Sequence, residues 1–473
     1  MANLFRPASS VNKPNLPATS LRVQQAVAGK ARTIGWGQTR IAGNLLDYID
    51  FKATPQQQGG GGGKGIGGGT GGKGSSGSGT YSYKAAVVIG FAEGPIASIQ
   101  SVWNNKSKLT WSQASGTAAL PYGYTGTALN LVLFTGDYAQ SPWSYMVSLH
   151  PTHALNYRGD AYVAAGPMQL GNTPELPNLN FEVTFAINSA YTGTIDANPR
   201  DVILDALTNS HYGVGFPSSR WPGDGNVTYS NYCVASGLVF SPAIADQRPF
   251  ADHLKDWLVA TNSEGFWSGG VFRITPYGDQ NITANGATYT APVNPVYAFT
   301  DSDFMPGQGN TGAPVSVNRK RIEDANNSIS VEYLDRSNDY NPAVVEAKDD
   351  ASIQVYGLKK KAVTQLHQFA AQSAAQVSAS LQLGREMVRS TYTFSVQGAF
   401  ILLDPMDVVT ISDVGLGSTP IPVRVKEITE NSDFTLTIVA EEYLQGVSST
   451  PLYGSQAGSG TLPNYNVSPG TVL

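Results

Sequence analysis

The sequence predicts a mainly β, multi-domain fold with an α+β insertion, and three observations carry the prediction. Charged residues make up 14% of the chain and aromatics 10%, where about 25% charged is ordinary. That profile suits turn-rich sheets with weakly charged surfaces and excludes a coiled coil. Apolar residues alternate in short segments separated by Gly, Pro and Asn, which is the period of half-buried strands. Helical spacing is confined to three stretches, two of them in the middle of the chain. At 473 residues the protein also exceeds what one hydrophobic core serves.

Taken in order, residues 1–30 hold Pro7, Pro14 and Pro17 and read as an N-terminal arm. A first β domain is expected over 31–190. Within it, residues 59–79 contain 14 Gly in 21 positions, interrupted by Lys64, Ile66, Thr70 and Lys73. Such a segment buries too little apolar area to offset its backbone entropy. Its flanks, Asn44–Thr54 and the Tyr81/Tyr83/Ala85/Val87/Ile89 alternation, read as strands. The Gly block is therefore expected at a hairpin tip, where closure cost grows only logarithmically with length. A second hairpin runs from Ile96 to Trp103, turns at Asn104-Asn105, and returns over Lys106–Trp111.

An α+β middle domain is expected over 191–300. Asn198-Pro199 opens a helix ending near Asn209, since Asn caps free N–H groups and Pro fits the first turn. A stronger helix covers about Pro249–Thr261, with Phe250, Leu254, Trp257 and Leu258 on one face. It leads into a hairpin turning at Gly269-Gly270. A second β domain is expected over 301–445, with a long helix at 363–389 and strands at Tyr392–Val396, Phe400–Leu403, Val408–Ile411, Ile421–Ile428 and Phe434–Ala440. Residues 446–473, rich in Gly, Ser and Pro, read as a C-terminal arm.

The composition bounds the chemistry. A net charge of −5 argues against a protein that works by neutralising phosphates. Cys233 is the single cysteine, which rules out an intrachain disulfide and a cysteine zinc site. The first 21 residues lack a signal-like apolar stretch, and no apolar run approaches the roughly 18–20 residues of a membrane helix. Gly67–Gly74 imitates a phosphate loop, yet Gly74 follows Lys73 where the motif needs Ser or Thr. Pro151 between His150 and His153 excludes a helical metal pair, and a solvated loop pair is the simpler reading. No Gly-x-Ser-x-Gly elbow occurs. A carboxylate pair for glycoside hydrolysis stays open, but Asp349-Asp350 and Glu441-Glu442 read more simply as solvated charges. No catalytic, cofactor-binding or metal set is assigned. Trp257 reads as core; Trp36 and Trp103 lie beside turns and read equally well as core or as interface anchors.

The order of these features resembles the central tail hub, or tip-attachment and host-specificity, proteins of tailed bacteriophages. The resemblance rests on the strand–Gly/Lys block–strand unit ending in Ala92-Glu93-Gly94-Pro95-Ile96 with its following hairpin. It continues through Tyr157–Val163, Leu176–Val183, Asn198–Asn209 with Tyr212–Gly215, and the Trp257–Leu258, Phe266–Trp267 and Arg273–Tyr277 stretch. Val331–Tyr333 with Asp339-Tyr340, and Leu403–Val409, complete it over about residues 30–445. It implies two related β-barrel hub domains around an α+β part, assembled as a homotrimer at the tail tip or baseplate of the virion after synthesis in the host cytoplasm. Implied partners are a distal tail protein, the tape-measure protein, and tip fibre or spike proteins, with DNA passing through the lumen without specific binding. Because the sequence stops at Leu473 where many such hubs continue, host recognition is expected to fall to separate fibres. The expected role is structural and non-enzymatic; the alternative is a carbohydrate-binding or depolymerising β-rich tail protein, suggested by the Trp and Tyr content. Expected partner contacts are Trp36, Lys64, Lys73, Glu93, Gly94, Pro95 and Trp103.

Overall fold

The computed structural model describes residues 31–56, 80–109, 111–113, 122–126, 130–306 and 312–448. The 1–30 arm, the 59–79 block with Lys64 and Lys73, and all but the root of the C-terminal arm lie outside the described residues. The chain divides into two compact units. The first comprises the residues up to Gly35 and Arg40–Ala186; the second comprises Trp36–Thr39 and everything from Ile187 onward.

In chain order the first unit holds strands β1 (Ile34–Gly35), β2 (Gln38–Ala42, whose first two residues belong to the second unit), β3 (Asn44–Pro55), β4 (Tyr81–Glu93), β5 (Ile96–Asn104) and β6 (Ser107–Lys108). Then follow β7 (Trp111–Gln113), β8 (Tyr122–Gly126), β9 (Asn130–Thr135), helix α1 (Ser144–Leu149), β10 (Asp160–Gly171) and β11 (Leu179–Phe185). A six-stranded sheet runs β3-β4-β10-β9-β8-β7, and a four-stranded one runs β2-β11-β5-β6. The period of two along β4 separates two cores. Ala85, Val87, Ile89 and Phe91 share one core with Phe181 and Val183 of the smaller sheet, while Ala86 and Val88 share another with Trp143 and Met146 at α1. The chain passes between these two sheets four times: between β2 and β3 at Gly43, between β4 and β5 at Gly94-Pro95, between β6 and β7, and between β10 and β11. β3 and β4 pair out to Pro55↔Tyr81, so the Gly block joins two paired strand ends, as the alternation predicts. Asn105, at φ 55°, makes the turn between β5 and β6.

The second unit continues with α2 (Pro199–Thr208), α3 (Val227–Ser236), β12 (Ala243–Ile244), α4 (Phe250–Ala260), β13 (Ser263–Ser268) and β14 (Val271–Pro276). Next come β15 (Ile282–Ala284), β16 (Ala287–Tyr289), β17 (Ala298–Phe299), β18 (Val315–Arg319), β19 (Ser328–Asp335), β20 (Asn341–Lys348), α5 (Asp350–Tyr356) and β21 (Thr364–Gln365). The last elements are α6 (Gln372–Arg385), β22 (Ser390–Gln397), β23 (Val408–Asp413), β24 (Gly417–Glu430) and β25 (Thr435–Glu442). A six-stranded sheet in the order β17-β23-β24-β25-β22-β18 carries the core of Phe299, Phe394, Val396, Val409, Val423 and Ile438, while β20-β19-β21 supports α6. The fold is thus mainly β and multi-domain. Among the described residues the strand orders are open, and no closed barrel forms.

Side-chain caps open two of the helices, α2 at Asn198 and α5 at Asp349. The Asn198 side chain accepts the Arg200 N–H at 3.0 Å, and Pro199 occupies the first helical position. Gly269 and Gly270, at φ 56° and 79°, form the two-residue turn between β13 and β14, where both positions need a left-handed backbone. The helix expected over 363–389 is corrected: α6 spans only Gln372–Arg385. Thr364 and Gln365 pair instead with Val331 and Glu332 of β19, and Leu366 and Phe369 are buried from extended and turn backbone. Their spacing imitates a helical stripe because a strand followed by a turn also returns the chain to the same core. Phe400–Leu403 is likewise a turn and not a strand; Phe400 faces inward against Phe299 at 4.9 Å. Among the described residues no helix is long and apolar enough to cross a membrane.

Candidate functional site

The segment Glu93-Gly94-Pro95 leaves β4 as the chain turns toward β5. Gly94 is there because nothing larger fits: a Cβ on it would lie 2.5 Å from the Cα of Gly136 and from the Thr135 carbonyl oxygen. Gly136 itself sits at φ 84°, a conformation that costs other residues strain. The Gly94 N–H donates to the Gly159 carbonyl at 2.8 Å, and the Gly94–Pro95 peptide is cis. Gln140 closes the corner from the other side. Its Oε1 accepts the Gly136 N–H at 3.1 Å, and its Nε2 donates to the carbonyls of Asn156, Tyr157 and Asp160.

Charges organise the rim of this corner. Arg32 donates Nη1 to Glu93 at 2.8 Å and Nε to Asp160 at 2.6 Å. The Glu93 bond is the largest of the influences that raise the Arg32 pKa. Tyr138 donates its hydroxyl to Glu93 at 3.3 Å; burial, reinforced by the Glu93 charge, pushes it up to about 12. Burial raises Asp160 too, with Arg32 working in the opposite direction. The Glu93 carboxylate is therefore committed to a cation and a phenol. Pro95 is exposed, whereas Gly94 is buried.

The two tryptophans expected as core or interface anchors are core residues, each 1% exposed. Trp103 is covered by Arg40, whose guanidinium carbon lies 4.5 Å from the ring centroid, and by Lys108 at 5.2 Å. Trp36 belongs to the second unit, where its indole N–H donates to Asp205 at 2.8 Å and its ring meets Trp257 edge-on at 5.8 Å. Neither ring offers a face to a partner.

The second unit holds two further polar clusters. Arg336 forms an ion pair with Asp196, and the Ser241 hydroxyl donates to the same carboxylate at 2.5 Å. Arg336 also reaches the Gln38 carbonyl at 3.0 Å, fastening residues 36–39 into this unit. Burial works against its charge and is outweighed by Asp196. The pair borders a cleft of about 560 Å³ whose wall includes Asn285, Ser373 and Val377. Around Tyr277, Arg385 stacks at 3.9 Å and makes a two-pronged bond to Glu441 at 2.9 and 2.7 Å. Lys426 bonds Glu264 at 2.8 Å, and the Tyr277 hydroxyl donates to Glu264 at 2.7 Å. Arg424 lies between the Tyr277 and Tyr443 rings, and burial lowers its pKa. These groups tie α6, β13, β24 and β25 together around Tyr277, the residue after β14; they position no nucleophile beside a base.

His150 and His153 do not converge on a ligand: His150 faces Asp50 at 3.1 Å, and Asp50 also accepts the Tyr145 hydroxyl at 2.6 Å. Among the described residues no group of three or more His, Cys, Asp or Glu is placed to hold a metal ion. Sequence reading missed Arg32, Tyr138, Gln140, Asp196 and Arg336. Asp160 was within a quoted motif, but its partner Arg32 lies 128 residues earlier.

Residues 250–428 match a protein family described as "putative phage tail protein". No curated protein matches the chain. Among solved structures, a chain of the virion of a native gene transfer agent particle is similar at 19% identity and a TM-score of 0.57, covering 93% of this chain and 90% of that one. A prophage tail protein from Listeria monocytogenes (9% identity, TM-score 0.26, covering 73% and 88%) also matches. So does a 43 kDa prophage MuSo2 tail protein from Shewanella oneidensis (8%, 0.31, covering 88% and 96%). Residues 250–428 are thus similar to a phage tail family, and the virion chain shares the fold.

Proposed function

We propose that this chain is a structural tail subunit that forms a homotrimeric central hub at the distal tail end. It would join the tube, through a distal tail protein, and the tape measure to tip fibres or a spike, and leave a channel for DNA. The observation that carries the reading is the phage-tail match over residues 250–428, joined to a virion-chain fold likeness spanning 93% of the protein. The geometry agrees. The Glu93 carboxylate is spent on Arg32 and Tyr138, and Glu264 and Glu441 on Lys426 and Arg385, which is the economy of a scaffold rather than of an acid–base pair. A lumen that must release DNA is better served by a chain of net charge −5 than by a phosphate-binding surface. For partner contact we retain exposed Pro95 with the outer side of Arg32–Glu93, and the lysines Lys64 and Lys73.

Electron cryo-microscopy of purified particles tests this directly. Density for the chain as a three-fold ring at one tail end is expected. Tails that assemble and eject DNA normally without the chain would remove the reading.

A further inference from the structure

Two surfaces of the second unit carry opposite charge around exposed apolar side chains, and they lie at opposite ends of one strand. At the far end of β22, Gln397 pairs with Thr435. There the Ile401-Leu402 turn and Phe434 form a knob, with Leu402 81% and Phe434 76% exposed. The knob is one surface, because a Cβ on Gly398 would strike the Phe434 carbonyl oxygen. Residues 397–407 and 427–437 contain Asp404, Asp407, Glu427, Glu430 and Asp433 and no Lys or Arg.

At the near end of β22, Ser390 pairs with Arg319 of β18. Here the run Arg319-Lys320-Arg321 meets the run Lys359-Lys360-Lys361, because Lys320 and Lys361 both reach Glu386, at 3.6 and 3.2 Å. Val355, Leu358, Val363 and Met387 are exposed around them. Glu386 answers Lys320 and Lys361, and Glu323, Asp324 and Glu346 answer Arg321 and Lys360, so four carboxylates meet the six cations of the two runs and part of the positive charge is left over. The eight residues of β22 separate the two surfaces by about 24 Å, at about 3.4 Å per residue.

We propose that the acidic, apolar knob of one copy docks on the basic, apolar face of the next. The contact is head-to-tail, and repeated with rotation it closes a ring. This rests on the hub reading and names its subunit contact. Charge complementarity selects a second copy as occupant: the knob repels an anionic membrane, and a nucleic acid would leave Val355, Leu358 and Val363 uncovered. Exposed apolar groups ringed by charge are the ordinary makeup of a protein interface.

Analytical ultracentrifugation of the full chain tests it. Leu402→Ser with Phe434→Asn is expected to raise the concentration for half-assembly about tenfold or more, without lowering stability, because Phe434 sits at φ 63° and Asn tolerates that backbone. Arg321→Glu with Lys361→Glu is expected to do the same, and adding Glu430→Lys with Asp433→Lys to be partly restorative. A mixture of knob-defective and face-defective chains should stop at dimers, since only one intact contact remains. Wild-type rings that survive both sets of substitutions would overturn the contact and leave the hub reading standing. A wild-type chain that is monomeric in solution would overturn the contact; only its absence from assembled tails would also remove the hub. Retention of the wild-type chain on duplex DNA, lost in the Arg321/Lys361 variant while assembly is unchanged, would assign the basic face to nucleic acid instead.

Discussion

Single residues set the tolerances of the first unit, and Gly94 is the sharpest case. A methyl there meets backbone on two sides, the Gly136 Cα and the Thr135 carbonyl, both at 2.5 Å. Backbone cannot swing away as a side chain can, so Gly94→Ala should cost about 2–3 kcal/mol. Gly166, by contrast, has nothing within 4 Å of its added Cβ, and Gly166→Ala should stay within about 0.5 kcal/mol; urea unfolding of the two variants decides it. Acid sensitivity is also a residue-scale property. Burial would raise Glu346, but bonds from Lys348, Ser328 and Lys360 outweigh it and hold the carboxyl at about 2 against an ordinary 4.5. A depressed folded value means stabilisation present above pH 4.5 and lost as the pH falls toward 2. Water screens these partly exposed pairs, so Glu346→Gln should cost only about 1 kcal/mol at neutral pH and flatten the acid limb of a thermal-unfolding profile between those values. Such pairs were illegible in the sequence. Arg336 and Asp196 are 140 positions apart, and nothing local marks either one. Trp36 and Trp103 were visible as aromatics beside turns, but whether a ring faces core or partner depends on Arg40, Lys108 and Asp205, which only the fold brings near.

Elements were legible wherever their signal was local. Asn198-Pro199, the Gly269-Gly270 turn and the alternation in β3 and β4 each encode their structure within a few residues, and each appears where it was expected. The failures have two sources, a period that is missing and a period that is false. In α3 the buried set Tyr229, Tyr232, Cys233 and Val234 surrounds the helix axis, so no polar face marks a helical period. Before α6, Leu366 and Phe369 fall into helical spacing while belonging to a strand end and a turn. The cap of α2 gives the element-scale prediction. Asn198 accepts the Arg200 N–H, and its Nδ2 donates to the buried Ser230 hydroxyl at 2.8 Å. Asn198→Ala therefore removes a cap and leaves Ser230 without that donor, at about 1–2 kcal/mol. Hydrogen exchange should show the loss first in the N–H of Arg200, whereas unchanged protection there would assign the bond no capping role.

The whole molecule was legible as an ordered series of motifs and as a mainly β chain with helices gathered near its middle. What the series did not encode is how the backbone is shared between units. Trp36–Thr39 is a four-residue stretch whose sequence neighbours on both sides belong to the first unit, yet it packs in the second. Trp36 donates to Asp205 and meets Trp257 and Tyr212, while the Gln38 carbonyl takes Arg336. A substitution early in the chain should therefore weaken the unit built from its later part. Trp36→Ala empties a fully enclosed site, which costs about 3–5 kcal/mol in a well-packed core. Two units with separate hydrophobic clusters need not unfold in one step. Calorimetry should accordingly show two transitions. Gly94→Ala should lower one of them and Trp36→Ala the other, even though the two residues lie only 58 positions apart. If both substitutions depress the same transition, residues 36–39 take their stability from the first unit, and the partition of the chain drawn from its packing is wrong.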